Sequence, residues 1–150
     1  MEKKRDAYLL KPSRIYDWAV ASGVEVTVNC NNYIIKGILK SVHKFELVIF
    51  SEGELFLISR HAIKKCTFSK KPELEEVPLN ASKGNDFFIP GNIYNMLISS
   101  ETSVNIYVNN TVYEDATLIA LDKYELTIKC NGNIELISKA GIEYLKAASM

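Results

Sequence analysis

The chain has 150 residues, 47% hydrophobic and 24% charged, and its 18 basic residues balance 18 acidic ones to a formal net charge of zero. That balance removes any bulk electrostatic pull toward nucleic acid or membrane, so an anion site has to come from local clustering of cations. No apolar run approaches the roughly 18 residues of a membrane span, and the charged start Met1-Glu2-Lys3-Lys4-Arg5 leads into no signal-type apolar segment; a cytoplasmic protein with no membrane partner is expected.

In chain order, residues 1–11 are expected to form a basic arm, with Lys3, Lys4, Arg5 and Lys11 available to assist anion binding. Ser13, after Pro12, is the expected N-cap of a short helix with an apolar stripe of Ile15, Tyr16, Ala19 and Val20, stopped by Gly23. Strands are predicted over 24–30, 33–42, 45–50, 54–60 and 62–68. Residues 69–89 carry two prolines in a polar stretch without sustained period, which predicts a linker. Asn92 is the expected cap of a second helix bearing Ile93, Met96 and Leu97, which fades at Ser99-Ser100. Strands follow over 103–109, 112–121, 124–129, 133–139 and 141–146. Cys30, Cys66 and Cys130 are odd in number, far apart and in apolar contexts, so they are expected to be reduced core thiols.

The second set of elements repeats the first. Between residues 42–63 and 121–142, aligned without a gap, the identical pairs are Lys44/Lys123, Glu46/Glu125, Leu47/Leu126, Ile49/Ile128, Gly53/Gly132, Leu57/Leu136, Ile58/Ile137, Ser59/Ser138 and Ile63/Ile142. Upstream, Val24-Glu-Val-Thr-Val-Asn29 parallels Val104-Asn-Ile-Tyr-Val-Asn109, and Pro12-x-x-Ile15-Tyr16 mirrors Pro90-x-x-Ile93-Tyr94. A repeat of this length fixes the architecture before local propensity does. The expected organisation is an arm (1–11), unit 1 (12–68), a linker (69–89) and unit 2 (90–150). Units this small gain stability by packing on one another or by oligomerising.

Side-chain alternation predicts the hairpin register. A two-residue turn at Asn131-Gly132 would set Ile128 beside Glu135 and Lys129 beside Ile134, mixing polar and apolar on both faces. A three-residue loop, Cys130-Asn131-Gly132, would pair Ile128 with Ile134 and Leu126 with Leu136 on one clean apolar face, and that register is expected. The corresponding loop Ser51-Glu52-Gly53 would pair Ile49 with Leu55 and Leu47 with Leu57. The opposite face, Val48, Phe50, Phe56 and Ile58, would then need a cover from the linker, the other unit or another chain.

A short helix, five strands and a basic-His-Ala-Ile element at the junction of the fourth and fifth strands resemble the Sm-like fold of the bacterial Hfq RNA chaperones. Unit 1 supplies Arg60-His61-Ala62-Ile63 in place of that family's Lys-His-Ala-Ile signature. Unit 2 supplies Val104-Asn-Ile-Tyr107-Val-Asn-Asn110 and Asp122-Lys123-Tyr124, similar to the family's Val-x-Ile-Tyr-Leu-x-Asn and Asp-x-Phe/Tyr. The resemblance implies a mainly β fold with short helices: two tandem Sm-like units, each an N-terminal helix plus a strongly bent five-stranded antiparallel sheet. It also implies a ring joined through fourth and fifth strands that binds uridine-rich single-stranded RNA on the helix-bearing face. With two units per chain, the implied assembly is a homotrimer forming a pseudo-hexameric ring.

Single-stranded RNA is held by base stacking on aromatic rings and by cations along its backbone. Carried over position by position, the resemblance implies RNA-binding roles for Lys44, Phe45, Arg60 and His61 in unit 1 and for Lys123, Tyr124 and Lys139 in unit 2. Tyr107 matches a stacking tyrosine on the opposite face. Ala140 stands where a second histidine is expected, Thr27 stands opposite Tyr107, and no basic cluster follows either helix. No phosphate-cradling glycine loop, nucleophile–base pattern or metal-ligand spacing is present, so neither catalysis nor a cofactor is expected. The alternative to RNA binding is an Sm-like scaffold that works through protein contacts. A duplex-DNA regulator is disfavoured, because no helix is basic enough for a major groove.

Overall fold

The computed structural model describes residues 12–70 and 88–147; the arm expected over 1–11 and most of the linker expected over 69–89 lie outside the described residues. Helix α1 (Pro12–Ser22) begins at a proline, and α2 (Pro90–Ser100) has Pro90 in its first turn with Ile89 as N-cap. A first-turn proline loses nothing by lacking an N–H, and its fixed φ already suits the helix. The helices therefore start earlier than Ser13 and Asn92 suggested. Asn92 lies inside the first turn, its N–H donating to the Ile89 carbonyl over 2.9 Å. Gly23 (φ 70°) and Glu101 (φ 54°) end the two helices in the left-handed region.

The strands are β1 (Glu25–Cys30), β2 (Ile34–Val42), β3 (Glu46–Ser51), β4 (Glu54–Ser59), β5 (Ile63–Phe68), β6 (Ser103–Val108), β7 (Thr111–Leu121), β8 (Glu125–Cys130), β9 (Asn133–Ser138) and β10 (Tyr144–Ala147). Short 3-10 turns at Arg60–Ala62 and Lys139–Gly141 precede β5 and β10. All strands join one antiparallel sheet in the order β5-β1-β2-β3-β4-β10-β6-β7-β8-β9. Among the described residues the fold is thus mainly β with two helices, and one continuous ten-stranded sheet takes the place of two five-stranded ones. The strand order of residues 12–68 recurs in residues 90–147, and the halves meet where β4 pairs with β10: Ile58 with Tyr144, Leu57 with Leu145, Phe56 with Lys146 and Leu55 with Ala147. The ladder is bent at matching places, between Leu39 and Ser41 in β2 and between Leu118 and Ala120 in β7.

The hairpin registers differ from expectation. Glu52-Gly53 (φ 50° and 80°) and Asn131-Gly132 (φ 53° and 80°) are two-residue turns with both φ values positive. Such turns match the right-handed twist of the flanking strands. The pairs are accordingly Leu47 with Ile58, Val48 with Leu57 and Phe50 with Leu55, then Leu126 with Ile137, Ile128 with Glu135 and Lys129 with Ile134. The mixed faces that argued against this register have a physical resolution at the seam. Val48, Leu55 and Leu57 lie 0–2% exposed in one cluster with Ile93, Tyr94, Leu97 and Leu145 of the other half. The apolar face of β3 and β4 is therefore Val48, Phe50, Leu55 and Leu57, rather than the expected Val48, Phe50, Phe56 and Ile58, and the second half covers it.

A second core cluster holds Trp18, Ala19, Val26, Val28, Leu39, Leu47, Ile49 and Ile58, closed by Tyr144 from across the seam. Each fully buried leucine or isoleucine contributes about 1.5–3 kcal/mol of transfer free energy. Because both clusters draw residues from both halves, the seam is part of the core. Cys30 and Cys130 are buried and Cys66 half-buried, all as free thiols. Among the described residues no helix is long and apolar enough to cross a membrane.

Candidate nucleic-acid interface

The loops between β2 and β3 and between β7 and β8 each turn one aromatic ring into solvent. Phe45 and Tyr124 are both 68% exposed, unusual for large rings beside a sheet. Their backbones are fixed all the same. The Arg60 N–H donates to the Phe45 carbonyl and the Lys139 N–H to the Tyr124 carbonyl, each over 2.8 Å. Each 3-10 turn thus clamps an aromatic loop by its main chain and leaves the ring outside. In the second loop Asp122 Oδ1 also accepts from the N–H groups of Tyr124 (2.8 Å) and Glu125 (2.7 Å). These two bonds hold its carboxyl below the ordinary carboxylate range, with the Lys139 charge adding to the effect.

Cations surround both rings in the same pattern. Lys44 Nζ lies 5.3 Å from the Phe45 ring centroid and Lys123 Nζ 5.3 Å from that of Tyr124. Behind them, the Arg60 guanidinium lies 5.4 Å from the Tyr16 centroid and Lys139 Nζ 5.6 Å from that of Tyr94. Arg60 also donates from a terminal nitrogen to the His43 carbonyl at 3.1 Å. The Tyr16 hydroxyl, donating to Cys66 Sγ at 3.4 Å, is pushed up to about 12 by burial and by that sulfur, with Arg60 pulling the other way. Both tyrosines come from helices, so each helix shares a side of the sheet with an aromatic loop. His61 is exposed beside Arg60, and at its counterpart position Ala140 is exposed too.

Lys139 ties the two loops together. Burial raises the Glu46 carboxyl, and Lys139 from the other half, with His43, draws it back down; the same lysine lowers Asp122. The Lys139 charge thus lowers both Glu46, the residue after Phe45, and Asp122, two residues before Tyr124. Ser59 fastens this junction, donating from Oγ to the Ile142 carbonyl (2.6 Å) and from its N–H to the Glu143 carbonyl (2.8 Å).

Of the residues singled out in the sequence, Lys44, Phe45 and Arg60 come together at the first loop, with His61 exposed next to Arg60 in the chain, and Lys123, Tyr124 and Lys139 come together at the second. Tyr107 stands apart. Its ring stacks on Tyr144 with centroids 4.0 Å apart at 17°, and Tyr33 and Phe56 complete an aromatic group at the seam. One face of Tyr107 is thus already occupied by a protein ring. Tyr33, at the start of the strand expected over 33–42, lies just before β2, and its ring is 4.3 Å from that of Tyr144. No local signal marked this group, because Tyr107 and Tyr144 meet across β6 and β10 and Tyr33 and Phe56 join them from the other half. The contacts of Tyr16 and Tyr94 with cations were likewise not apparent, although their shared Pro-x-x-Ile-Tyr spacing was.

The two loops offer exposed π-faces about which cations are held at fixed positions, the arrangement that binds stacked bases and a phosphate backbone. Among the described residues no group of three His, Cys, Asp or Glu side chains is placed to hold a metal ion. No family model and no curated protein matches the sequence.

Proposed function

We propose that the chain consists of two Sm-like units, 12–68 and 90–150, joined by a linker over 69–89, and that it binds uridine-rich single-stranded RNA as a non-catalytic, Hfq-like protein. The observation that carries this reading is the repeated pairing of an exposed ring with a lysine, Phe45 with Lys44 and Tyr124 with Lys123, each bonded through its carbonyl to a turn residue that is itself a cation, Arg60 or Lys139. Stacking is indifferent to base identity, and small pyrimidines suit a site with one ring per loop. His61 supplies a polar group for reading base edges beside the first ring only. In support of the Sm-like assignment, each half has a helix followed by strands in one recurring order, and the fourth strand of one half pairs with the fifth of the other. A ring of three chains is the form in which this face would be presented.

The test is a titration with oligo-U and oligo-A RNA at two salt concentrations. Binding of oligo-U that weakens with salt, and that Phe45→Ala and Tyr124→Ala each weaken, is the expected result. No binding at low salt removes the RNA reading and leaves the protein-contact scaffold. The exposed apolar pair Ile134 and Leu136 favours that second reading.

A further inference from the structure

The chain enters α2 through Phe88, and the first half grips that residue at three points. Ser41 Oγ donates to the Phe88 carbonyl over 2.8 Å, and His43 Nε2 lies 3.0 Å from the same carbonyl and 2.9 Å from Ser41 Oγ. The Phe50 ring meets the Phe88 ring edge-on, with centroids 6.3 Å apart at 86°. Ser41 is 5% exposed and His43 is half-buried, so bulk water does not compete freely for these bonds. The oxygens fix the proton on the imidazole. A carbonyl only accepts, and the Ser41 hydroxyl hydrogen is already directed at it, so Nε2 faces two acceptors and has to carry a hydrogen itself.

The second half is built differently at the same positions. The counterparts of Ser41, His43 and Phe50 are Ala120, Asp122 and Lys129, so all three contacts of Phe88 are replaced, although Lys44, Glu46, Leu47 and Ile49 recur unchanged among them. Asp122 turns back on its own loop and accepts from the N–H groups of Tyr124 and Glu125. A ring N–H cannot accept those bonds, and His43 reaches instead to a residue 45 positions along the chain. Its main chain stays part of the aromatic loop. The His43 N–H donates to the Glu46 carbonyl over 2.8 Å, and its carbonyl accepts from the Arg60 guanidinium at 3.1 Å. The Phe45 loop is therefore held from outside, by Arg60 and by the entry to α2, whereas the Tyr124 loop carries its own acceptor.

We infer that His43 is a positioning residue for the first aromatic loop: through the Phe88 carbonyl it couples Phe45 to the start of α2, while the Tyr124 loop is set by Asp122 and is independent of that joint. Without the imidazole the Phe88 carbonyl keeps only Ser41, and the loop loses its one side-chain tie to the second half. A disturbance at either end is then felt at the other, so the placement of Phe45 depends on the second half being seated. The two rings, equal in sequence position, thus answer to different controls. The coupling stands on these hydrogen bonds alone; its effect on RNA rests on the reading proposed above.

The experiment uses the full chain labelled with nitrogen-15, first without RNA. At about pH 8, well above the ordinary histidine value, the ring shifts of His43 should report the Nε2–H tautomer; an Nδ1–H ring overturns the inference before any substitution is made. Amide hydrogen exchange then reads the coupling. Arg60 donates its N–H to the Phe45 carbonyl, Asn92 and Ile93 donate theirs to the Ile89 carbonyl, and Lys139 donates its own to the Tyr124 carbonyl. His43→Ala should speed exchange at Arg60, Asn92 and Ile93 about tenfold and leave Lys139 unchanged. His43→Gln, which keeps a side-chain N–H, should restore the slow rates, and Asp122→Ala should speed Lys139 without moving Asn92 or Ile93. Faster exchange at Arg60 alone, or throughout the chain with Lys139 included, overturns the coupling. With oligo-U, His43→Ala should weaken binding about threefold to tenfold, and should cost nothing further in a chain already carrying Phe45→Ala. Coupled exchange without oligo-U binding keeps the positioning role and removes the RNA reading; oligo-U binding with uncoupled exchange does the reverse.

Discussion

Leu57→Ala tests whether the seam between the halves is core. Leu57 is 2% exposed in the cluster of Val48, Ile93, Tyr94, Leu97 and Leu145, and it lies directly opposite Leu145. Truncation removes about 1.5–3 kcal/mol of transfer free energy and leaves a cavity whose walls belong to two sheet segments and a helix, which cannot all collapse inward. The expected loss is about 3 kcal/mol, equivalent to a fall in Tm of roughly 6–12 °C for a chain of this size. Thermal unfolding followed by circular dichroism should show one transition that moves as a whole, because the cluster belongs to both halves. Leu136→Ala is the matched control. At a concentration where light scattering gives 16.9 kDa, its exposed side chain should cost no more than about 0.5 kcal/mol. A loss under about 1 kcal/mol for Leu57→Ala, or two transitions of which only one shifts, would refute a shared core.

Phe45→Ala should weaken oligo-U binding by about 1–3 kcal/mol through lost stacking, with His61→Ala costing less and mainly lowering base preference. Tyr107→Ala should leave oligo-U binding unchanged but lower stability by about 2–4 kcal/mol, because its ring is packed against Tyr144; filter binding and thermal melts on the same preparations separate the two effects. Gly37→Ala should be strongly destabilising, since a Cβ there would drive into the Phe50 carbonyl of the paired strand, and denaturant titration should show its midpoint well below that of the unmodified chain. Two carboxylates should respond to acid with opposite signs. Asp122 titrates below its ordinary 3.8 in the fold, so its contribution is complete above that value and is lost as pH falls through the lowered one. Glu46 is raised above 4.5 by burial, so acidification toward its raised value relieves a cost, and Glu46→Gln should gain stability at neutral pH and lose its advantage in acid.

The repeat placed nearly every strand, because a turn signal such as Gly53 or Gly132 bounded each apolar run and each half vouched for the other. Where the sequence misled was the register of β8 and β9. The rule that one face should be uniformly apolar assumes a strand whose buried face looks into its own core. β4 and β9 break that assumption, since Leu55 and Leu57 serve the seam rather than the core behind their own hairpin. Asn131-Gly132 carried the right answer in its turn chemistry, and the apparent mixing of faces was itself the mark of an interface strand. At the candidate site, Phe45 and Tyr124 were legible because they occupy equal positions in both copies. The Tyr33, Tyr107 and Tyr144 group was not, because Tyr107 and Tyr144 pair across β6 and β10 of the second half and Tyr33 reaches them from the β1–β2 turn of the first, which no local spacing encodes.

The way the halves have diverged matches the different fates of their edges. The β3–β4 hairpin presents Val48, Phe50, Leu55 and Leu57 to a partner that is always present in the same chain, and its other β4 positions, Phe56 and Ile58, are apolar too. The β8–β9 hairpin has Thr127 and Lys129 in place of Val48 and Phe50, and Glu135 in place of Phe56. A seam between covalently joined halves is made as the chain folds, so nothing is gained by charge there. An edge left open to solvent would, if wholly apolar, pair with any strand it met. Charges on such an edge cost a little affinity and exclude partners that cannot answer them. Ile134 and Leu136 remain apolar at the two positions whose counterparts, Leu55 and Leu57, are 1% and 2% exposed at the internal seam. The same asymmetry separates the two aromatic loops. The hairpin that follows Phe45 ends at the internal seam, where Lys139 of the other half acts on Glu46, whereas the hairpin that follows Tyr124 ends at β9, the last strand of the sheet.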